Sequence, residues 1–462
     1  MIRLLHVYYP KRVLVLAVSE ALLIVLVLIA AAVVNHGSDT ELMLAYEQGY
    51  LKIGVAAVIC QLCMYYYDVY EPSIINNSRE TITRLIQVVG TLCLVQVLLY
   101  YIIPSIRLDQ GTFILGILFL GIALSSWRTL FLVMNRIPRL GTRTVFLGTG
   151  PLAATLAREI GKRAELGMCL LGYIDSSPSP AAHVNGLTCL GGFGDLANVV
   201  QRERVEQIIV TMEDRRGKLP VEHLLQIKTR GVMVVDGADI YEAVLGRVPI
   251  HSLRLSWLLF SPGFCLSTPV LIYKRLLSFI LSTLFLILAL PLMAIIALAI
   301  RLDSPGPIIF RQKRMGQDGK AFALFKFRSM QWSGKVEEST PAQANDKRFT
   351  RVGRWIRRVR LDELPQLYNI LRGDMYFVGP RPFVPKDEEV FLREIPFYAQ
   401  RLTIRPGATG WAQVNYGYCS TIEDNITKLE YDLFYIKNVS VGLDVLTLFK
   451  TLKILVLGRG GR

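Results

Sequence analysis

Four stretches of the chain are apolar over about 20 consecutive residues, the length that a helix needs to cross the hydrocarbon core of a bilayer. The first stretch is too long for the apolar region of a signal peptide, and three more follow it, so cleavage is not expected. The pattern therefore predicts four membrane-spanning helices: Val13–Val34, Leu51–Tyr70, Leu85–Ile103 and Thr112–Val133.

Positive charge is unevenly spread over the segments that flank these spans. Residues 35–50, between the first two spans, contain acids and no Lys or Arg, whereas Lys and Arg collect at both ends of the unit. Because such residues favour the cytoplasmic side, both ends are expected in the cytoplasm. The flanking basic residues are Arg3, Lys11 and Arg12, then Arg79, Arg84 and the lone Arg107, and finally Arg136, Arg139 and Arg143.

The pattern changes to that of a soluble α/β module after Arg143, where buried strand-like segments alternate with helical ones. Gly148, Gly150 and Ala153 form a GxGxxA turn, and Asp175 ends the next strand. A Rossmann site would place a pyrophosphate on that turn and a ribose on the acid. A tight strand-to-helix turn explains the same glycines, so a bound dinucleotide and a scaffold or regulatory role both stay open.

A fifth apolar run, Leu276–Ile300, is also long enough to span. Lys274 and Arg275 precede it and Arg301 follows, so the positive-inside preference places both flanks in the cytoplasm. The run then has to enter and leave on one side, and Pro291 offers a place to break the helix because proline lacks an N–H. A straight span with a proline kink is the alternative.

Composition agrees with a membrane protein. The 462 residues are 52% hydrophobic and only 19% charged, which excludes a disordered chain, and the net charge is +15. Such a basic excess in an apolar chain fits anionic lipid or anionic substrates, and no nucleic-acid-binding motif accompanies it, so no nucleic acid partner is expected. Seven cysteines do not pair evenly, and we interpret Cys60 and Cys63 as helix-packing residues rather than metal ligands.

The C-terminal third carries the candidate chemistry. An amphipathic helix with apolar residues at i, i+3, i+4 and i+7 is predicted to lie in the membrane interface, with Arg358 and other arginines among lipid headgroups. It ends at the adjacent acids Asp362 and Glu363, and a stiff Gly-Pro-Arg-Pro turn follows with Arg381, whose planar guanidinium suits a phosphate. The apolar positions of the helix are Val352, Trp355, Ile356 and Val359.

These segments resemble a known family. FKFRSM, LDELPQLYNILRGDM, GPRP and RPGATGWAQV together, within about Tyr273 to Gly458, are similar to the bacterial polyprenyl-phosphate sugar-1-phosphate transferases, or phosphoglycosyl transferases. The resemblance implies transfer of a sugar phosphate from a UDP-sugar to undecaprenyl phosphate, with release of UMP. It also implies a start to exopolysaccharide or O-antigen synthesis, a re-entrant helix, a homodimer and a place in the bacterial inner membrane with the catalytic domain in the cytoplasm.

The resemblance assigns roles to residues by position. Asp362 would be the nucleophile of an aspartyl sugar-phosphate intermediate, and Glu363 with Asp362 would hold Mg²⁺. The expected ligands of the substrate phosphates or the uridine are Arg381, Lys326, Arg328, Arg358 and Arg405, although ordinary surface cations would explain several of them. Two positions depart from the family pattern: Ser278 replaces the acid of Lys-Arg-x-x-Asp, and Leu290 replaces the serine of Ser-Pro.

The predicted fold is a membrane protein of α and α/β class, with five parts. Two other functions stay open: a membrane-tethered nucleotide-sugar dehydratase or epimerase, whose Tyr-x-x-x-Lys pair is missing from the sequence, and a non-catalytic polysaccharide assembly protein. The predicted parts are 1–138, four transmembrane helices; 139–250, a Rossmann-like cytoplasmic domain; 251–272, a linker; 273–302, a re-entrant helix-break-helix; and 303–462, a mainly α-helical catalytic domain with interfacial amphipathic helices.

Overall fold

A computed structural model describes residues 1–135, 141–176, 186–253, 255–332, 346, 348–417 and 421–457. Arg136, Arg139 and Gly458, used above, lie outside the described residues. The chain divides into two units, one formed by residues 1–2 and 8–240 and the other by residues 3–7 and 241–462. A short hairpin of β1 (Ile2–Leu4) and β2 (Val7–Tyr9) begins the chain.

The first unit opens with helices, and each of the four predicted spans falls on one of them. The long helices α1, α3, α5 and α6 pack around one core, in which Cys60 and Cys63 lie. The helices are α1 (Lys11–His36), α2 (Thr40–Ala45), α3 (Gly49–Tyr66), α4 (Pro72–Ile75), α5 (Ser78–Ile102) and α6 (Gln110–Asn135).

Both faces of these helices are apolar. On α1, Ile24 and Leu28 are buried, while Leu22 and Leu26 are each 62% exposed. A water-facing side would carry polar residues, so an apolar outer face is the mark of a helix in lipid. Five helices of the described chain, including one in the second unit, are long and apolar enough to cross a bilayer, and the protein is a membrane protein.

One buried ion pair crosses this helical core. Glu20 on α1 and Arg128 on α6 are nearly inaccessible, with Arg128 Nε 2.7 Å from Glu20 Oε1. The hydroxyl of Tyr70 donates to the other carboxylate oxygen at 2.7 Å. The apolar runs gave no sign of this pair, because each charge is a single residue within a long apolar stretch.

The first unit also contains a five-stranded parallel sheet of order β5-β4-β3-β6-β7. The order reverses between β3 and β6, as in doubly wound folds, and these two central strands are largely buried because helices cover such sheets. The strands are β3 (Thr142–Leu147), β4 (Met168–Ile174), β5 (Cys189–Gly191), β6 (Gln207–Val210) and β7 (Met233–Asp236). The helices are α7 (Pro151–Gly161), α8 (Leu196–Arg202) and α9 (Val221–Thr229), and the second unit begins within α10 (Gly237–Leu245).

The second unit is mainly helical with two small sheets. β8 and β9 form an antiparallel hairpin, and β10 and β11 pair in parallel. The helices are α11 (Leu255–Phe260), α12 (Thr268–Asp303), α13 (Arg351–Arg358), α14 (Gln366–Arg372), α15 (Pro385–Glu394), α16 (Trp411–Asn415), α17 (Ile422–Lys437) and α18 (Val441–Val456); the strands are β8 (Ile309–Met315), β9 (Ala321–Phe327), β10 (Tyr376–Val378) and β11 (Gly407–Thr409).

The fifth apolar run forms one continuous helix, α12, of 36 residues with Pro291 inside it. The helix continues past Pro291, as proline permits within long apolar helices whose remaining hydrogen bonds hold them together, and the re-entrant path stays a prediction. The helix is about 54 Å long at 1.5 Å per residue. Its buried face contacts the same unit near both ends, through Lys274 at one end and Ile300 at the other.

Candidate active site

The segment before the paired acids is a short helix that is packed into the protein. Thr350 caps α13 by accepting a hydrogen bond from Gly353 N at 2.9 Å. Gly353 has to be glycine, because a Cβ there would lie 2.0 Å from the carbonyl oxygen of Ser329. The close approach brings α13 against β9 and α12, where Val352 and Ile356 join a common apolar cluster.

This packing corrects one expectation for the amphipathic helix. Val352 and Ile356 face the protein core rather than lipid, because they fill the space beside α12. Trp355 and Val359 are 56% and 45% exposed. Only that half of the predicted apolar stripe is available to a membrane surface.

The chain reverses direction directly before the two acids. Arg360 lies in the left-handed region, with φ 56°, and ends the path of α13. Leu361–Glu363 then form one 3₁₀ turn that leads through Pro365 into α14. A non-glycine residue in this region stores strain, which neighbouring contacts have to offset.

Three cations surround Glu363. Lys326 Nζ and Arg381 Nη2 each lie 3.2 Å from Glu363 Oε1, and Arg360 Nη1 lies 3.6 Å from Oε2. Burial alone would raise the pKa of this carboxyl, but the three positive charges outweigh it and hold the pKa well below its usual range. Glu363 is therefore ionised at any physiological pH.

The neighbouring Asp362 has the opposite electrostatics. Its side chain is buried, and no cation of the described residues lies within 4 Å of its carboxylate. Burial, and then the negative charge of Glu363, raises the pKa of Asp362, while Lys326 and Arg357 oppose that rise. Adjacent acids with pKa values pushed apart are the arrangement in which two carboxyls take different chemical roles.

Arg381 reaches this cluster from a turn held by close backbone packing. The turn follows β10, where Gly379 and Gly407 approach so closely that a Cβ on Gly407 would lie 2.1 Å from Gly379 N. Pro380 O accepts from Gly407 N at 2.9 Å, and Pro382 O accepts from Arg314 Nη1 at 3.1 Å. The turn therefore presents Arg381 from a fixed backbone.

The remaining predicted cations have different surroundings. Arg328 is buried and donates to Ser304 O at 2.7 Å and Pro305 O at 2.5 Å, so its guanidinium satisfies carbonyls at the end of α12. We interpret it as a helix cap rather than a phosphate ligand, which differs from the prediction. Arg358 is exposed, with no ion pair among the described residues, and Arg405 lies 5.5 Å from the ring centre of Tyr376.

Sequence patterns missed three arginines of this region. Arg360 contacts Glu363, Arg314 holds the turn, and Arg401 donates to the main-chain oxygen of Arg381. Burial, followed by the positive charge of Arg381, lowers the pKa of Arg314 to about 10, which still leaves it protonated at neutral pH. In a chain with 52 Lys and Arg, no sequence signal separates these from ordinary surface cations.

The start of α12 is fastened to the strand that leads into this turn. Lys274 is buried and donates to Val378 O at 3.0 Å and to Asp444 Oδ2 at 2.9 Å. Ser278, where the family pattern has an acid, accepts a hydrogen bond from Phe377 N at 3.0 Å. The hydroxyl thus supplies an acceptor at this position. Leu290, the other departure, is 60% exposed.

The α/β module is the second candidate site. Gly148 has φ 97°, and a Cβ there would lie 2.5 Å from Met212. The hydroxyl of Thr149 donates to Asp175, and the same carboxylate accepts from Ser176 N at 2.6 Å. The acid that would bind a ribose already has protein partners, and the two roles left open for the module stay open.

Family comparisons match both halves of the chain. The family described as bacterial sugar transferase matches residues 270–458, which contain the cluster around Glu363. The family described as CoA-binding domain matches residues 65–226.

Three curated proteins are similar to the chain. A UDP-N-acetylgalactosamine-undecaprenyl-phosphate N-acetylgalactosaminephosphotransferase of Aeromonas hydrophila is 41% identical over 53% of the chain and 54% of its own length. A UDP-glucose:undecaprenyl-phosphate glucose-1-phosphate transferase of Klebsiella pneumoniae is 33% identical over 67% and 66%. One of the same name from Caulobacter vibrioides is 42% identical over 38% and 67%. The matched part of the chain thus spans about half to two thirds of the length of each of these relatives.

Proposed function

Because this chain belongs to the bacterial sugar transferase family, we propose that it transfers a sugar phosphate from a UDP-sugar to undecaprenyl phosphate and releases UMP. The relatives act on undecaprenyl phosphate by name. The observation that carries the proposal is the pair Asp362 and Glu363, with three cations around one acid and none within 4 Å of the other among the described residues.

The reaction divides into two steps. A carboxylate oxygen of Asp362 attacks the β-phosphorus of the UDP-sugar, the bond to the oxygen that bridges the two phosphorus atoms breaks, and UMP leaves with that electron pair. A phosphate oxygen of undecaprenyl phosphate then attacks the same phosphorus, and Asp362 leaves as a carboxylate. One phosphoanhydride replaces another, so no further energy source is needed.

The cations have a defined part in this scheme. Lys326, Arg360 and Arg381 carry three positive charges against the single charge of Glu363, which leaves an excess for the diphosphate oxygens. Arg381 offers a planar pair of donors, suited to two phosphate oxygens at once. The raised pKa of Asp362 makes its carboxylate more basic than an exposed one, and therefore a better nucleophile.

Mg²⁺ is part of the proposal. Among the described residues, no three Asp, Glu, His or Cys side chains are placed to hold a metal ion together, but Mg²⁺ usually takes one or two carboxylates together with substrate phosphates. Glu363 Oε2, whose ion pair is the longest of the three, and Asp362 provide that donor set. When bound, the ion would neutralise charge on the diphosphate. Transfer activity is expected to vanish with EDTA and to return with added Mg²⁺.

A cytoplasmic catalytic unit at the inner membrane is also proposed. The donor nucleotide is cytoplasmic, and the basic flanks of the spans favour that side. Contacts of α12 near both of its ends with the same unit support a helix that does not carry its C-terminal end across the bilayer. Which UDP-sugar is used, and whether the protein is a dimer, stay predictions of the family resemblance.

The test is UMP release by the purified full chain across a panel of UDP-sugars with undecaprenyl phosphate. Asp362→Asn is expected to abolish release and to lose the radiolabel that wild-type protein retains from donor labelled in the sugar. Asp318→Asn is the matched control, because Asp318 is exposed and Asn also tolerates its left-handed backbone, φ 54°. Near-normal release by Asp362→Asn would exclude this nucleophile.

A further inference from the structure

Arg401 is a buried cation beside the Gly-Pro-Arg-Pro turn. Only 4% of its surface is exposed, and a guanidinium is expensive to bury without partners. Asp432 Oδ2 lies 2.7 Å from its Nε, and Glu388 Oε1 lies 3.4 Å from its Nη1. Its carbon centre lies 4.7 Å from the ring centre of Phe383. Two acids and a ring thus fix the guanidinium in place.

The remaining terminal nitrogen of this guanidinium, Nη2, donates to the main-chain oxygen of Arg381. The acids that hold Arg401 belong to α15 and α17, so the contact joins the turn to two helices of the same unit. The side chain of Arg381 itself contacts Glu363 at 3.2 Å.

The turn needs such a contact because of its composition. Pro380 and Pro382 have no N–H, so half of its residues cannot donate backbone hydrogen bonds. Gly379 N donates to Thr409 O at 2.9 Å, and the turn's other contacts are made by its carbonyls: Gly407 N donates to Pro380 O, Arg314 to Pro382 O, and Arg401 to the oxygen between them. That central oxygen belongs to the residue whose side chain enters the site.

We propose that Arg401 is a positioning residue, which sets the direction of the Arg381 side chain by holding its carbonyl. The inference rests on the proposed transfer activity for its kinetic test. Displacement of a substrate-binding group by about 1 Å can cost about 100-fold in rate, so a modest shift of this turn is enough to matter.

The kinetic test is a double-mutant cycle in the full-length protein, with UMP release as the readout. Arg401→Lys keeps the charge beside its two acids, but one ammonium cannot reach all of the acceptors. It is expected to lower kcat/KM about 10- to 100-fold in the wild-type background and by less than about 2-fold on top of Arg381→Ala, because the effect passes through Arg381. Arg247→Lys is the matched control, since Arg247 pairs with Glu430 at 3.1 Å and lies over Tyr241.

Several outcomes would overturn the proposal. Activity of Arg401→Lys within 2-fold of wild type would do so, as would an unchanged loss in the Arg381→Ala background. If Arg401→Lys does not fold, Glu388→Gln weakens the longest contact of the network and is expected to show the same coupling at about 3- to 10-fold. If Glu388→Gln lowered kcat/KM by the same factor in the wild-type and Arg381→Ala backgrounds, a role through Arg381 would equally be refuted.

A second measurement does not depend on the proposed activity. Hydrogen exchange of peptides that cover residues 376–384 is expected to accelerate in Arg401→Lys and not in Arg247→Lys. If wild-type protein releases no UMP, the proposed function fails, and this measurement still tests the positioning role. Equal exchange in both variants would refute it.

Discussion

Removal of the Ser278 hydroxyl is the sharpest test of how α12 is joined to the active-site strand. Ser278 is buried, and its Oγ accepts from Phe377 N at 3.0 Å. In the β10–β11 ladder, Tyr376 pairs with Gly407 and Val378 with Thr409, so the amide between them faces away from β11. Ser278→Ala would leave that part-buried amide without its acceptor.

The size of the effect follows from this geometry. An unsatisfied buried donor costs about 1–3 kcal/mol. Ser282 provides the control, because it lies one turn further along the same buried face, while its hydroxyl donates at 3.1 Å to Phe279 O within α12. Both alanine variants gain the same helix propensity, about 0.5 kcal/mol, so the difference between Ser278→Ala and Ser282→Ala isolates the amide.

Urea unfolding followed by tryptophan fluorescence measures this difference. Four of the five tryptophans, all except Trp127, lie in the second unit, so the signal reports mainly on that unit. With a slope of about 2–3 kcal/mol per M, the midpoint of Ser278→Ala is expected about 0.5–1 M below that of Ser282→Ala. Equal midpoints with an unchanged slope would refute the assignment of Ser278 as the acceptor.

Two further predictions concern the site itself. Burial raises the pKa of Asp362 and Lys326 opposes that rise. In the proposed mechanism only the ionised carboxylate attacks, so kcat/KM for UMP release should fall as pH drops through that pKa. Lys326→Gln should move this fall in kcat/KM to higher pH, whereas Lys313→Gln, on the exposed face of the same hairpin, should not. A fall at the same pH in both variants would contradict the assignment of Asp362 as the titrating group. Gly407→Ala would bring a Cβ within 2.1 Å of a backbone nitrogen and is expected to cost about 3 kcal/mol in the same urea assay, because backbone cannot yield as a side chain does. Gly417→Ala, where an added Cβ meets no described atom within 4 Å, should leave the midpoint unchanged.

The sequence predicted the parts of the site that depend on local pattern. The two acids and Arg381 stand in short motifs, and the family resemblance names Lys326 within FKFRSM, on the same face of β9 as the buried Leu324. Structure brings Lys326 and Arg381 to the same oxygen of Glu363. Sequence could name these residues because each stands in a short motif that resembles the family's.

The roles of the other arginines of the site depend on contacts between segments that are distant in sequence. Lys326 lies on β9 and Arg328 directly follows that strand. Only the position of the end of α12 makes Arg328 a cap and leaves Lys326 beside Glu363. Arg401 similarly acquires its role from α15 and α17. A cation that becomes buried by tertiary packing has the same local sequence as one in water, so pattern alone could not separate them.

The different surroundings of the two adjacent acids are what make the proposed two-step reaction physically reasonable. In that proposal the nucleophile has to attack a diphosphate and later leave as a carboxylate, so its carboxylate should not already be paired with a cationic side chain. Glu363 fails that requirement, because three cations hold it ionised and in place. Asp362 meets it, since its buried carboxylate has a raised pKa and no cation within 4 Å in the described chain. The surroundings of each carboxylate, rather than its being Asp or Glu, therefore decide which of the two acids is the nucleophile in this proposal.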